Sequence, residues 1–128
     1  MQITRAALAY WGAIFAAGFV LGTMRVLWLV PTIGETRAVL AELPVMLTAS
    51  WIAARWLVRR FAIASAGQAL AMGAMAFALL MASEAGLAVV IGEGIAAWLA
   101  GMASTAGAIG LAGQVVFGVM PVLVRQRA

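Results

Sequence analysis

The chain has 128 residues, 66% of them hydrophobic and 9% charged, with a mean hydropathy of +1.12. A soluble domain carries about 25% charged residues, so a chain this short cannot cover itself with polar surface, and lipid is the solvent that removes the difficulty. The absence of cysteine and histidine excludes disulfides, thiolate metal centres, histidine-ligated haem and histidine acid–base chemistry; the net charge of +4 sits on arginines at the ends of apolar runs, which marks topology rather than a nucleic-acid surface.

The first apolar run, Ala6 to Val30, predicts a membrane-spanning helix over 6–30. It is longer than the core of about 7–15 residues that a signal peptide carries, so it reads as a retained helix. Gly18, Gly22 and Arg25 fall on one stripe of it, which predicts a close helix contact with a charge at its edge. Thr32-Ile33-Gly34-Glu35 fits a capping box, with Thr32 as N-cap and Glu35 reaching back, and opens a second helix over 33–60. Pro44 is expected to kink that helix and free the carbonyl of Leu40, near Glu42.

Ser65-Ala66-Gly67-Gln68 repeats the capping pattern before a third helix over 66–91, with Gly73, Phe77, Leu80 and Glu84 on one stripe. Gly92-Glu93-Gly94 is a turn. Residues 95–102, with Trp98, are too short to span; they read as an interfacial helix or as an early start of the last helix. A fourth span covers 104–124, with Gly110, Gln114 and Gly118 spaced by four as packing positions around one amide. The fold class is therefore an all-α integral membrane protein, a four-transmembrane-helix bundle in a single domain.

Arginine placement orients it. Four spans put the N-terminus, the second connection and the C-terminus on one side, with Arg5, Arg55, Arg59, Arg60, Arg125 and Arg127; the other side has Arg25 and Arg37 together with all four glutamates. Both termini are expected to be cytoplasmic. The arginine-only, alanine-rich composition suggests a bacterial inner membrane.

Depth brings the polar residues of the spans together. Counted from the outer helix ends at about 1.5 Å per residue, Arg25 lies roughly 7–8 Å in, Glu84 roughly 10 Å, Glu42 roughly 13 Å and Gln114 roughly 15 Å. These four form the expected buried site, one guanidinium facing two carboxylates, with a proton, an inward-swinging Arg37 or a bound cation needed to balance the charge. The structural alternative is a salt-bridge network that fixes helix order. Glu35 is expected to cap, Trp51 to line a cavity, and Trp28, Trp56 and Trp98 to anchor at the interface. Met72 and Met75 read as packing rather than copper ligands, since no Cys or His joins them.

No metal, cofactor or nucleic acid is implied. With no Lys, no Asp and no serine beside a recognisable base, an enzyme is not expected. The leading reading is a transporter or channel component working as a homo-oligomer or with other membrane proteins; the alternative is a non-transporting accessory or assembly subunit. In size and in carrying glutamates within its spans, Glu42 and Glu84, the chain is similar to the small multidrug resistance family. That family's glutamate lies in the first helix, where this chain has only Arg25, so membership does not follow.

Overall fold

The computed structural model describes residues 2–127. They form five helices: α1 (Gln2–Ile33), α2 (Glu35–Arg60), α3 (Ala66–Val90), α4 (Gly94–Met102) and α5 (Thr105–Arg127). All but the nine-residue α4 are long and apolar enough to cross a membrane. No strand occurs among the described residues. The long helices pack as a ring in the order α1, α2, α5, α3, with α1 also touching α3. Hence α1 lies diagonally opposite α5, and α2 opposite α3.

The helix ends follow from local chemistry, with one departure from expectation. The chain is already helical at Thr32, whose hydroxyl donates back to the Trp28 carbonyl at 2.7 Å. The Thr32–Glu35 capping box therefore does not form. Gly34, at φ +88°, makes the break and occupies the N-cap of α2 without a side-chain cap. The second box does form: Ser65 Oγ accepts from the Gln68 amide at 3.1 Å, and Gln68 Oε1 accepts from the amides of Ala64 and Ser65. Ser104 Oγ likewise accepts from the Gly107 amide at 3.0 Å, starting α5 afresh and leaving α4 as a separate helix.

Helices α2 and α3 both end in paired reversed hydrogen bonds. After α2, Ile63 N–H reaches the Val58 carbonyl at 2.9 Å and Ala62 N–H the Arg59 carbonyl at 3.3 Å; after α3, Glu93 reaches Ala88 and Gly92 reaches Val89. The left-handed position is Gly92 in one case and Ala62, at φ +51°, in the other. Buried Val58 and Ile63 supply the apolar contact that accompanies this motif.

Three prolines lie inside helices, and each has a different consequence. Pro31 cannot donate to Leu27, and just before it the helix widens into a π turn over Arg25–Leu29, closed by Val30 N–H on the Arg25 carbonyl. At Pro44 α2 continues unbroken to Arg60, and Thr48 Oγ1 donates to the Pro44 carbonyl at 2.7 Å. Pro121 leaves the carbonyl of Phe117 without its helical donor. Tyr10 of α1 supplies one instead: its buried hydroxyl donates to Phe117 O at 2.7 Å, and its ring stacks on the Phe117 ring with centroids 4.2 Å apart. Buried Ser50 of α2 lies against the same phenol.

The core occupies one half of the bundle, where α1 and α3 begin and α2 and α5 finish. Ala6, Tyr10, Leu57, Val58, Ile63, Ala69, Met72 and Val124 are among its members. Backbones come closest at Gly73 of α3 and Gly118 of α5, where a Cβ on Gly73 would strike the Gly118 carbonyl. The contact expected along Gly18 and Gly22 is looser: Gly18 meets only the Met46 methyl, and a Cβ on Gly22 would lie 3.7 Å from Arg25 of its own helix. Gly110 has no atom within 4 Å of such a Cβ, because the closest α3–α5 approach lies at Gly118, two turns further on.

These positions give three expected stability changes. Gly73→Ala forces α3 off α5 and costs about 1–3 kcal/mol, whereas Gly12→Ala, with open space around it, is neutral or stabilising by about 0.5–1 kcal/mol. Ala62→Gly relieves the left-handed alanine and raises stability by about 1 kcal/mol. Denaturant unfolding of the purified variants, followed by circular dichroism, measures all three.

Candidate functional site

The four polar residues matched by depth do not form one cluster. They form two pairs on opposite sides of the ring. Arg25 of α1 donates through Nε to Glu42 Oε2 of α2 at 2.6 Å, with side chains 26% and 15% exposed. Gln114 of α5 donates through Nε2 to Glu84 Oε1 of α3 at 2.5 Å. Each pair bridges neighbouring helices, α1–α2 in one case and α3–α5 in the other. Beside them, Leu43 seats its Cδ1 over Gly113. Leu43 follows Glu42 and Gly113 precedes Gln114, so the contact near the two pairs is apolar.

The local sequence explains the first pair. Arg25 opens the π turn, and its guanidinium lies back over Gly22, where a Cβ would meet it at 3.7 Å, an ordinary contact. The second pair follows from the α3 stripe: Gly73 and Leu80 are buried, Phe77 and Glu84 part-buried, so all four face the bundle. Next to Glu84, Ser83 Oγ accepts from Trp11 Nε1 of α1 at 3.0 Å and donates to the Leu79 carbonyl at 2.7 Å. That hydrogen bond ties the α3–α5 pair to α1.

This partition corrects the charge balance expected from depth alone. Arg25 neutralises Glu42, and that contact is the one salt bridge among the described residues. Glu84 has a neutral amide as its hydrogen-bond partner. Arg37 does not swing inward; it is exposed, as are Glu35 at the start of α2 and Glu93 in the turn after α3. Trp51 is 39% exposed and lies under the Arg55 guanidinium, 5.1 Å from its ring centroid. Met72 is buried and Met75 exposed, so the two thioethers do not converge.

Two apolar grooves cross the surface, one lined by Pro44, Val45, Thr48, Ala49 and Ile52 and one between α3 and α5 that includes Phe77 and Gly118. Neither contains a member of either polar pair. No group of three or more acidic, His or Cys side chains suited to a metal occurs among the described residues.

Sequence reasoning did not pair Tyr10 with Phe117 or Trp11 with Ser83. One signal was available: Pro121 guarantees an orphan carbonyl at Phe117, and Tyr10 is the chain's single tyrosine.

A double-mutant cycle separates the two pairs energetically. Arg25→Gln and Glu42→Gln are expected to couple by about 1–3 kcal/mol, because either alone leaves a part-buried charge unpaired. Glu84→Ala and Gln114→Ala, each of which removes the hydrogen bond, should couple by about 0.6 kcal/mol. Unfolding free energies of the single and double variants measure both. Comparison with known proteins adds no relative: no protein-family model matches the chain, and neither a curated protein nor a solved structure shows significant similarity to it.

Proposed function

We propose that the chain is a four-span integral membrane protein of a bacterial inner membrane, with both termini cytoplasmic, and that it is a transporter or channel component in which Glu84 exchanges protons or small cations. The observation that carries this reading is the unequal treatment of Glu42 and Glu84, the two acids well inside their helices. Glu42 has a guanidinium at 2.6 Å; Glu84 has an amide. A lone ionised group within a span costs about 2.5–3.5 kcal/mol or more, so a carboxylate held by a neutral partner has a use for a cation. The Arg25–Glu42 pair is then a structural clasp between α1 and α2.

The remaining features suit that placement. The arginines cluster at the end where the chain starts and finishes, the pattern of a cytoplasmic face. Trp28 and Trp56 are exposed near helix ends, as interface anchors are. Helix α4, apolar and largely exposed, suits the outer membrane surface. The accessory-subunit reading has one observation of its own. Phe19, Val20, Val26, Leu27 and Trp28 leave the outer half of α1 uncovered, available to a neighbouring helix.

Proteoliposomes loaded with a pH-sensitive dye and given an imposed proton or monovalent-cation gradient test the proposal. The wild type should dissipate the gradient. Glu84→Gln should fall to the level of empty vesicles, while Glu42→Gln loses stability before it loses flux. Equal flux in the wild type and Glu84→Gln would sink the role of Glu84. A wild type that moves no cation and purifies with a second polypeptide favours the accessory role.

A further inference from the structure

Positive charge gathers at one end of the bundle with no acidic side chain beside it among the described residues. Arg5, Arg59, Arg60 and Arg125 lie where α1 starts and where α2 and α5 finish, while all four carboxylates sit in the opposite half of their helices or in the turn beyond. Most of these arginines are exposed, but Arg125 is held. It is part-buried, its Nη1 donates to the Ala64 carbonyl at 3.3 Å, and its Nε is buried with no hydrogen-bond partner among the described residues.

The anchor is stiff. Ala64 lies in the turn 61–65, fixed on one side by the reversed hydrogen bonds that close α2 and on the other by the Ser65–Gln68 box. Arg59 and Arg60 stand exposed on the last turn of α2, at the head of the same turn, with the Arg60 guanidinium 5.5 Å from the Phe61 ring centroid. One neutral carbonyl cannot neutralise a guanidinium, and it leaves most of the five N–H donors of Arg125 for another acceptor.

We propose that Arg125, with Arg59 and Arg60 across the turn, forms a binding site for the phosphate of an anionic phospholipid headgroup in the cytoplasmic leaflet. A guanidinium matches phosphate oxygens in pairs, and an anchored one loses little freedom on binding. Phosphate supplies a counter-charge that no acidic side chain among the described residues provides at this end. The site rests on the bilayer placement of the bundle and is independent of what Glu84 does.

The test uses the purified full chain in mild detergent, with bound lipid counted by native mass spectrometry and the fold checked by circular dichroism. Phosphatidylglycerol, phosphatidylcholine and inorganic phosphate are the three probes. Phosphatidylglycerol should bind and persist, phosphatidylcholine should not, and inorganic phosphate should fail to displace the lipid. Any arginine at an anionic surface contributes about a fivefold gain; Arg125→Gln should lose clearly more than that, and Arg5→Gln no more. Arg125→Lys should keep part of the binding. The double variant Arg59→Gln/Arg60→Gln, altered only at exposed positions, should weaken binding even if Arg125→Gln fails to fold. Equal losses in Arg125→Gln and Arg5→Gln overturn the site, as does equal retention of both lipids. Complete displacement by inorganic phosphate assigns the chemistry to the free anion and overturns the lipid.

Discussion

The carbonyl of Phe117 has no helical donor, because Pro121 stands where the donating N–H would be, and the packing of the bundle is arranged around that gap. A buried carbonyl left bare costs about as much as a lost hydrogen bond. The Tyr10 hydroxyl fills the need from α1, across the diagonal of the ring, where the two helix backbones hardly approach one another. The phenol is the strut that spans the centre, and its stacking on Phe117 holds the ring in place as well as the hydroxyl. One turn of α5 therefore meets every other long helix: α1 through Tyr10, α3 through the Gly73–Gly118 approach, and α2 through the neighbourhood of Ser50.

Beyond this strut the bundle changes character. The half that contains the chain ends has a continuous apolar core, while buried residues in the other half are sparse, among them Ala38, Ala88 and Ala106. Polar pairs replace the core there. Each is short-range and joins neighbours in the ring, so neither requires the opposite interface to close. In the proposed bilayer, a proton or cation that changes the Glu84–Gln114 bond acts first on the α3–α5 seam and reaches α1 through the Trp11–Ser83 hydrogen bond. The partition separates an acid with a charged partner from an acid with a neutral one, although both were drawn from residues of similar depth.

The same comparison shows what the chain discloses about itself. The long helices are legible because apolar length is a one-dimensional property. Depth is one-dimensional too, and it brought out the four polar residues. Pairing is not, because it depends on the angular order α1, α2, α5, α3, which no count of residues along a helix contains. The two capping patterns make a related point. Ser65 follows a turn, so its hydroxyl is free to cap; Thr32 follows Pro31 in a chain that is still helical, so an equivalent four-residue pattern bonds backwards instead. The glycine stripes were informative only in part, since Gly118 makes the close contact and Gly110 does not. Gly18 and Gly22 accommodate side chains, Met46 and Arg25, while the backbone contact uses Gly73 and Gly118, whose partnership across two helices is invisible in either stripe alone.

The π turn at Arg25–Leu29 has a further consequence for α1. In a regular helix each residue advances the face by about 100°, and a π turn takes in one residue more than the α-helical spacing allows. The two parts of α1 are thereby set out of phase. The stretch that places Ala6, Tyr10 and Ile14 against the core would, if continued regularly, dictate which way Arg25 and everything after it must point. The bulge cancels that obligation. A single helix can then serve two masters, an apolar interface in one half and a charged contact in the other, each with its own rotational setting.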